Sequence, residues 1–185
     1  MIGTGPYDSL REYVEAIEEH GKLIRIDEID QDAYELTGFI YKLLDKYGWL
    51  GAPAIIVEKV KIDGEWMQGP ILINQYGMGG HEALVVGVPL DEIDPEDHIL
   101  NYKKSLEKML NEVPIEPKKT KEVKASDAPS KEVILKGDEI DILSFPFIQT
   151  NPADNGRFIN TGNLITIDPD GGRNVGTYRM QIKGP

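Results

Sequence analysis

Between Asn111 and Lys131 the chain reads NEVPIEPKKTKEVKASDAPSK, and this stretch limits the fold more than any other. Pro114, Pro117 and Pro129 each lack a backbone N–H and fix φ, so neither a helix nor an interior strand runs easily through it. Charged residues of both signs make up half of the rest and leave little to bury. It therefore reads as an extended, solvated linker and not as a binding tail. It divides the 185 residues into a front part, residues 1–110, and a back part, residues 132–185, joined by residues 111–131. The front part can enclose one core.

The front part has helix and strand signals in alternation. Ser9 followed by Glu12 has the spacing of a capping box, Leu10, Val14 and Ile17 recur at helical spacing, and Gly21 suits a helix end. KLIRIDEI (Lys22 to Ile29) alternates apolar and charged residues as a half-buried strand does. Asp32 can cap a second helix reaching about Tyr47 and ended by Gly48. AIIVEKV (Ala54 to Val60) is rich in β-branched residues, and Asp63-Gly64 predicts a hairpin turn into WMQGPILINQY. The order α-β-α-β-β suits helices packed on a sheet. After GMGGHEALVVGV, Pro95 predicts the first turn of another helix, running to about Leu110.

The back part is β-like: KEVILKG, a loop FPFIQTNPADNGR, then two long strands about the turn DPDGG. About three strands make a sheet that is marginal alone. The chain stops at QIKGP directly after a long strand, so the domain is expected to continue in further sequence or on another chain. The predicted class is α/β (α+β).

With 32 acidic and 20 basic residues the formal charge is −12, without the basic stripe of a nucleic-acid surface. No cysteine is present, which excludes disulfides, thiolate nucleophiles and Cys-ligated zinc. No apolar run approaches the ~18–20 residues of a membrane span, and MIGTGPYDSL lacks the regions of a signal peptide. A soluble, cytoplasmic chain without membrane or nucleic-acid partners is expected.

Three histidines are weak candidates for chemistry. His20 lies near the end of the first predicted helix, where positive charge is favourable. His81 has no second histidine at the i+4 spacing of a zinc-protease helix. His98 has acidic neighbours and reads as a solvated surface residue. GMGG (Gly77 to Gly80) could bring backbone N–H groups to a phosphate, but it is neither G-x-G-x-x-G nor a Walker A loop, and a glycine turn from strand to helix explains it equally well. That leaves DPDGGRNVGTYRMQ (Asp168 to Gln181). On a regular strand Asn174, Gly176 and Tyr178 share one face and Val175, Thr177 and Arg179 the other, unless Gly176 marks a bulge or a close approach of ligand to backbone. The pattern alone leaves open an edge strand with polar residues outward or a strand that holds a polar ligand.

These residues together resemble the UbiD family of prenylated-FMN-dependent (de)carboxylases. The resemblance runs through SLREYVEAIEEHGKLIRID, APAIIVEKV and SFPFIQTNPADNGRFINTG, and is strongest at DPDGGRNVGTYRMQ, where N-x-G-x-x-R follows a D-P-x-x-G turn. It implies that residues 1–110 form an N-terminal α/β domain, and residues 132–185 the first strands of an incomplete FMN-binding split β-barrel. In the family that barrel binds prenylated FMN with a divalent metal, and often a potassium ion. By resemblance Asn174 would ligate Mn²⁺ beside the cofactor phosphate, a fitting hard-oxygen ligand. Gly176, Thr177, Tyr178 and Arg179 would contact the cofactor, with Thr161 near it. Arg179 would also be catalytic, with two acids, close to the substrate carboxylate, whose geometry a guanidinium fork matches.

The family's remaining metal ligands, its acid pair and its oligomerisation domain have no counterpart before Pro185, and neither Glu132 nor Asp138 sits in a matching motif. The resemblance therefore implies the N-terminal part of a decarboxylase (reversibly a carboxylase) of aromatic or α,β-unsaturated acids, silent as these residues alone. Its expected partners are the rest of the UbiD-like enzyme, on the same or a separate chain, and a small carboxylic acid, with a homo-oligomer when complete. The alternatives are a non-catalytic scaffold subunit assembling with a complete UbiD-like partner, and an unrelated acidic binding module. Bound flavin separates the first reading from both.

Overall fold

The computed structural model describes residues 3–94, 96–112 and 121–185. Helix α1 (Leu10–Glu19) starts at Ser9, whose hydroxyl accepts from the Glu12 N–H. The reciprocal half of the expected capping box is displaced by one residue, since the Glu12 carboxylate accepts from Asp8 N–H at 2.8 Å. At the other end Gly21, with φ +67°, lets its own N–H reach Glu18 C=O and that of Lys22 reach Ile17 C=O, a Schellman closure.

Strand β1 (Leu23–Asp30) follows, then helix α2 (Glu35–Tyr47), β2 (Ala54–Ile62) and β3 (Glu65–Ile73). The sheet order is β1-β2-β3, with β1 and β2 parallel across the α2 crossover and β2–β3 an antiparallel hairpin through Asp63-Gly64. Asp32 is not the cap of α2. The cap position is Tyr34, without a side-chain bond, while the Asp32 carboxylate accepts from the N–H groups of Asp63 and Gly64, each at 2.8 Å. A hairpin turn exposes two adjacent N–H groups at one point, and a carboxylate serves both at once.

The first half of central β2, Ala54 to Val57, is apolar on both faces because both are covered there. Ile55, Val57, Val60 and Ile62 pack with Leu36 and Leu43 of α2, while Ala54 meets Tyr13 and Ile17 of α1 and Leu84. Truncating such a residue as Ile17 costs about 2–5 kcal/mol.

Helix α3 (Gly79–Val85) packs against α4 (His98–Glu112). Gly79 is required by that packing, since a Cβ on it would lie 2.5 Å from the His98 ring; a Cβ on Gly80 would lie 2.8 Å from Ile93, in the segment between the two helices. The cap of α4 is Asp97, whose carboxylate accepts from Leu100 N–H at 2.9 Å; Pro95 lies outside the described residues. Helix α4 is turned polar side in. Asn101 and Ser105 are buried, Asn101 accepting from Asp94 N–H at 2.8 Å, while Ile99, Tyr102, Met109 and Leu110 face outward.

Much of the expected linker, residues 113–120, lies outside the described residues. KEVILKG is not a strand: it joins neither sheet, and Val133, Ile134 and Leu135 stay exposed, so a β-branched run without a neighbouring strand adopts short turns instead. The following loop is stitched to the first sheet. Ile148 enters its core, Gln31 donates to Gln149 C=O at 2.8 Å, and Thr37 to Thr150 C=O at 2.7 Å. Arg157, buried, donates to the carbonyls of Leu143, Phe145 and Phe147 and pairs with Asp63 at 3.2 Å. Strands β4 (Phe158–Asp168) and β5 (Gly172–Gln181) then form a separate two-stranded sheet, two strands in place of the three expected in the back part.

Candidate functional site: the β4–β5 hairpin

The hairpin is built by its turn. Asp168 accepts from Asp170 and Gly171 N–H at 2.8 and 3.0 Å, an Asx turn that reverses the chain and fixes the register Asp168↔Gly172 through Asn163↔Thr177. The bulge is in β4, not at Gly176. Leu164 pairs with Gly176 in regular register, whereas between Ile159 and Gly162 two residues, Asn160 and Thr161, stand opposite Arg179. Gly176 instead makes room for its neighbour, since a Cβ there would lie 2.5 Å from the Tyr178 ring. With β5 regular, Asn174 and Arg179 occupy opposite faces of the strand.

Arg179 is the most firmly held of the expected site residues. Its Nε donates to Asn160 Oδ1 at 2.9 Å, its Nη2 to Asp154 Oδ2 at 2.8 Å, and its guanidinium lies 3.8 Å from the Phe158 ring centroid, a cation–π contact. Thr177 donates to Asn163 Oδ1 at 3.1 Å, and Asn174, Thr161 and Tyr178 are exposed. Among the described residues no group of three or more His, Asp or Glu is placed to hold a metal ion. Of the expected metal ligands these residues offer a single exposed amide oxygen, that of Asn174, which fits one corner of a metal site at most.

His98 departs from its surface reading, and it meets the other two histidines. His20, His81 and His98 line one pocket of about 200 Å³ with Lys22 and Asp94. His81 is fully buried, edge-on to Tyr13, and among the described residues neither ring nitrogen makes a well-formed hydrogen bond. Burial pushes its pKa down to about 4, nearby Lys22 acting the same way and the Gln75 carbonyl against. Nothing in local spacing marks this convergence, because it is made by three separate elements. Asp154 and Asn160 were also missed as partners of Arg179. Their only signal is the loop NPADNGRFIN, whose polar residues pair with a strand about 20 residues later.

Vanillic acid decarboxylase of Sedimentibacter hydroxybenzoicus (ShVdcCD), in open form with a truncated ShVdcD, superposes with a TM-score of 0.74 at 27% identity, covering 96% of this chain and 37% of that one. An evolved dimeric form of HmfF from Pelotomaculum thermopropionicum, in complex with prFMN, superposes with a TM-score of 0.66 at 26% identity over 97% of this chain and 37% of its own. In sequence, phenolic acid decarboxylase of a Streptomyces species (strain D7) is 27% identical over 96% of this chain. Residues 121–185 match the family model of the 3-octaprenyl-4-hydroxybenzoate carboxy-lyase Rift-related domain. Residues 121–185 thus match the UbiD family's domain model, and the chain as a whole is similar to UbiD-class enzymes. It spans about a third of the length of the relatives it matches, 36% of the Streptomyces protein.

Proposed function

We propose that this chain is the N-terminal part of a prenylated-FMN-dependent decarboxylase. The observation that carries the reading is Arg179, presented on β5 by Asp154, Asn160 and Phe158 within a chain whose fold follows a prFMN-bound relative almost end to end. The substrate would be an aromatic or α,β-unsaturated carboxylic acid. The names of the phenolic and vanillic acid decarboxylases favour the aromatic branch.

When bound, the modified flavin supplies the electron sink that lets a carbon–carboxylate bond break. The chain's own part would be positional. Arg179 would orient the acid's carboxylate with a fork of N–H donors, and Gly176, Thr177 and Tyr178, with Thr161, would line the cofactor. Asn174 would give a carbonyl oxygen to Mn²⁺. The other metal ligands, any potassium site, the proton donor and the oligomer contacts would come from polypeptide outside these residues, so the 185 residues alone would not turn over. Because the chain spans only about a third of its relatives, the second reading is a scaffold subunit seated on a complete UbiD-like partner.

The test is cofactor content and CO₂ release of the chain joined with the polypeptide that completes it. Prenylated FMN in the assembly, with turnover lost and flavin retained in Arg179→Ala, supports the decarboxylase. Wild-type turnover in that variant would sink the assignment. Turnover supplied wholly by the companion supports the scaffold.

A further inference from the structure

We infer that Asp154 and Asn160, with Phe158 against the guanidinium face, are positioning residues that aim Arg179 at a planar carboxylate; this rests on the decarboxylase reading. An arginine side chain on an open strand samples many rotamers, and a bidentate pair requires one plane and one direction. Here three contacts fix both. Asn160 Oδ1 holds Nε at 2.9 Å, Asp154 Oδ2 holds Nη2 at 2.8 Å, and the Phe158 ring covers a face at 3.8 Å. Together they engage the Nε–Nη2 side of the guanidinium. Nη1 makes no hydrogen bond among the described residues, so the end-on Nη1/Nη2 edge is the one presented to a ligand.

The supports are themselves held. The β4 bulge sets Asn160 and Thr161 opposite Arg179, where a regular ladder would set a single residue. Asp154 sits in a loop folded on itself, its N–H bonded to Asn151 C=O at 2.9 Å and its C=O to Gln149 Nε2 at 2.8 Å. The side chains of Arg179 and Asp154 are 47% and 20% exposed, so the pair adds little stability. Its effect is direction, and misplacement on the order of 1 Å can cost ~10²-fold in rate.

Two measurements test this. In the 185-residue chain, Asp154→Asn is expected to shift the Arg179 Nε–H resonance and speed its exchange with solvent; an unmoved resonance overturns the cradle. In the complete, flavin-loaded enzyme, Asp154→Asn is expected to lower kcat about 10²-fold with flavin content unchanged, and Asp154→Glu to recover much of the loss. If Arg179→Ala abolishes turnover while Asp154→Asn keeps wild-type kcat and KM, the cradle is wrong and the decarboxylase stands. Flavin loss in Asp154→Asn also overturns it, since the residue then only maintains the fold. If Arg179→Ala turns over normally, the decarboxylase reading itself fails.

Discussion

A protonated ring at His81 is disfavoured: the side chain is fully buried and Lys22 lines the same pocket, with the Gln75 carbonyl offsetting only part of this. The folded-state pKa, about 4, lies below the usual imidazole value of 6.5. The unfolded chain therefore takes up the proton first, and stability present above pH 6.5 is lost as pH falls toward 4. By pH 5 the difference is ~2 kcal/mol. Urea denaturation at pH 7 and pH 5 is expected to show this extra loss in the wild type and not in His81→Leu; equal slopes in the two would refute it. The same pocket explains why the residue scale was only partly legible. A histidine's neighbours in sequence predict solvation or capping, and the elements that bury it are joined by contacts no local window contains.

Elements were legible where their determinants are local. Ser9, Gly21 and the Asp63-Gly64 turn each act within a few residues, and α1, β1 and the β2–β3 hairpin follow from them. The DPDGG turn is read the same way, from Asp168 bonding its own loop. Asp32 was misread because its carboxylate reaches across to residues 63 and 64 instead of the helix beginning beside it. KEVILKG failed for a related reason: β propensity needs a neighbouring strand to become a strand. Gly176 was one place where a bulge could fall, being the residue that permits one, and the bulge formed instead opposite Arg179. If Asp32 serves the turn, Asp32→Ala is expected to cost about 1–2 kcal/mol and Asp32→Asn less, since an amide oxygen still accepts. Equal urea midpoints for Ala and wild type would return Asp32 to an ordinary surface role.

At the scale of the molecule, the first sheet and the hairpin are joined through Arg157, Gln31, Thr37 and Ile148. Removing the guanidinium takes a donor from three carbonyls, of which Phe145 C=O keeps the Phe147 N–H, and leaves the largely exposed Asp63 unpaired, a loss of about 1–3 kcal/mol for each carbonyl left buried without a donor. In Arg157→Leu, hydrogen exchange is expected to rise across residues 143–160, while amides of the β1–β2 ladder stay protected. Uniform exchange across both regions would mean that the two parts open as one.

These stitches also have an order in time. Thr37 and Thr150 are separated by 113 residues, and Gln31 and Gln149 by 118. At ribosomal speeds of about 5–20 residues per second, the anchoring side chains wait on the order of ten seconds for their acceptors to be made. During that interval the α/β layer must keep Gln31, Thr37 and Asp63 exposed to water and the seat of Ile148 empty. The nascent chain thus carries a vacant dock, closed only when the Leu143–Arg157 loop emerges, and a chaperone that shields it would act on the protein's front part before the β4–β5 hairpin exists.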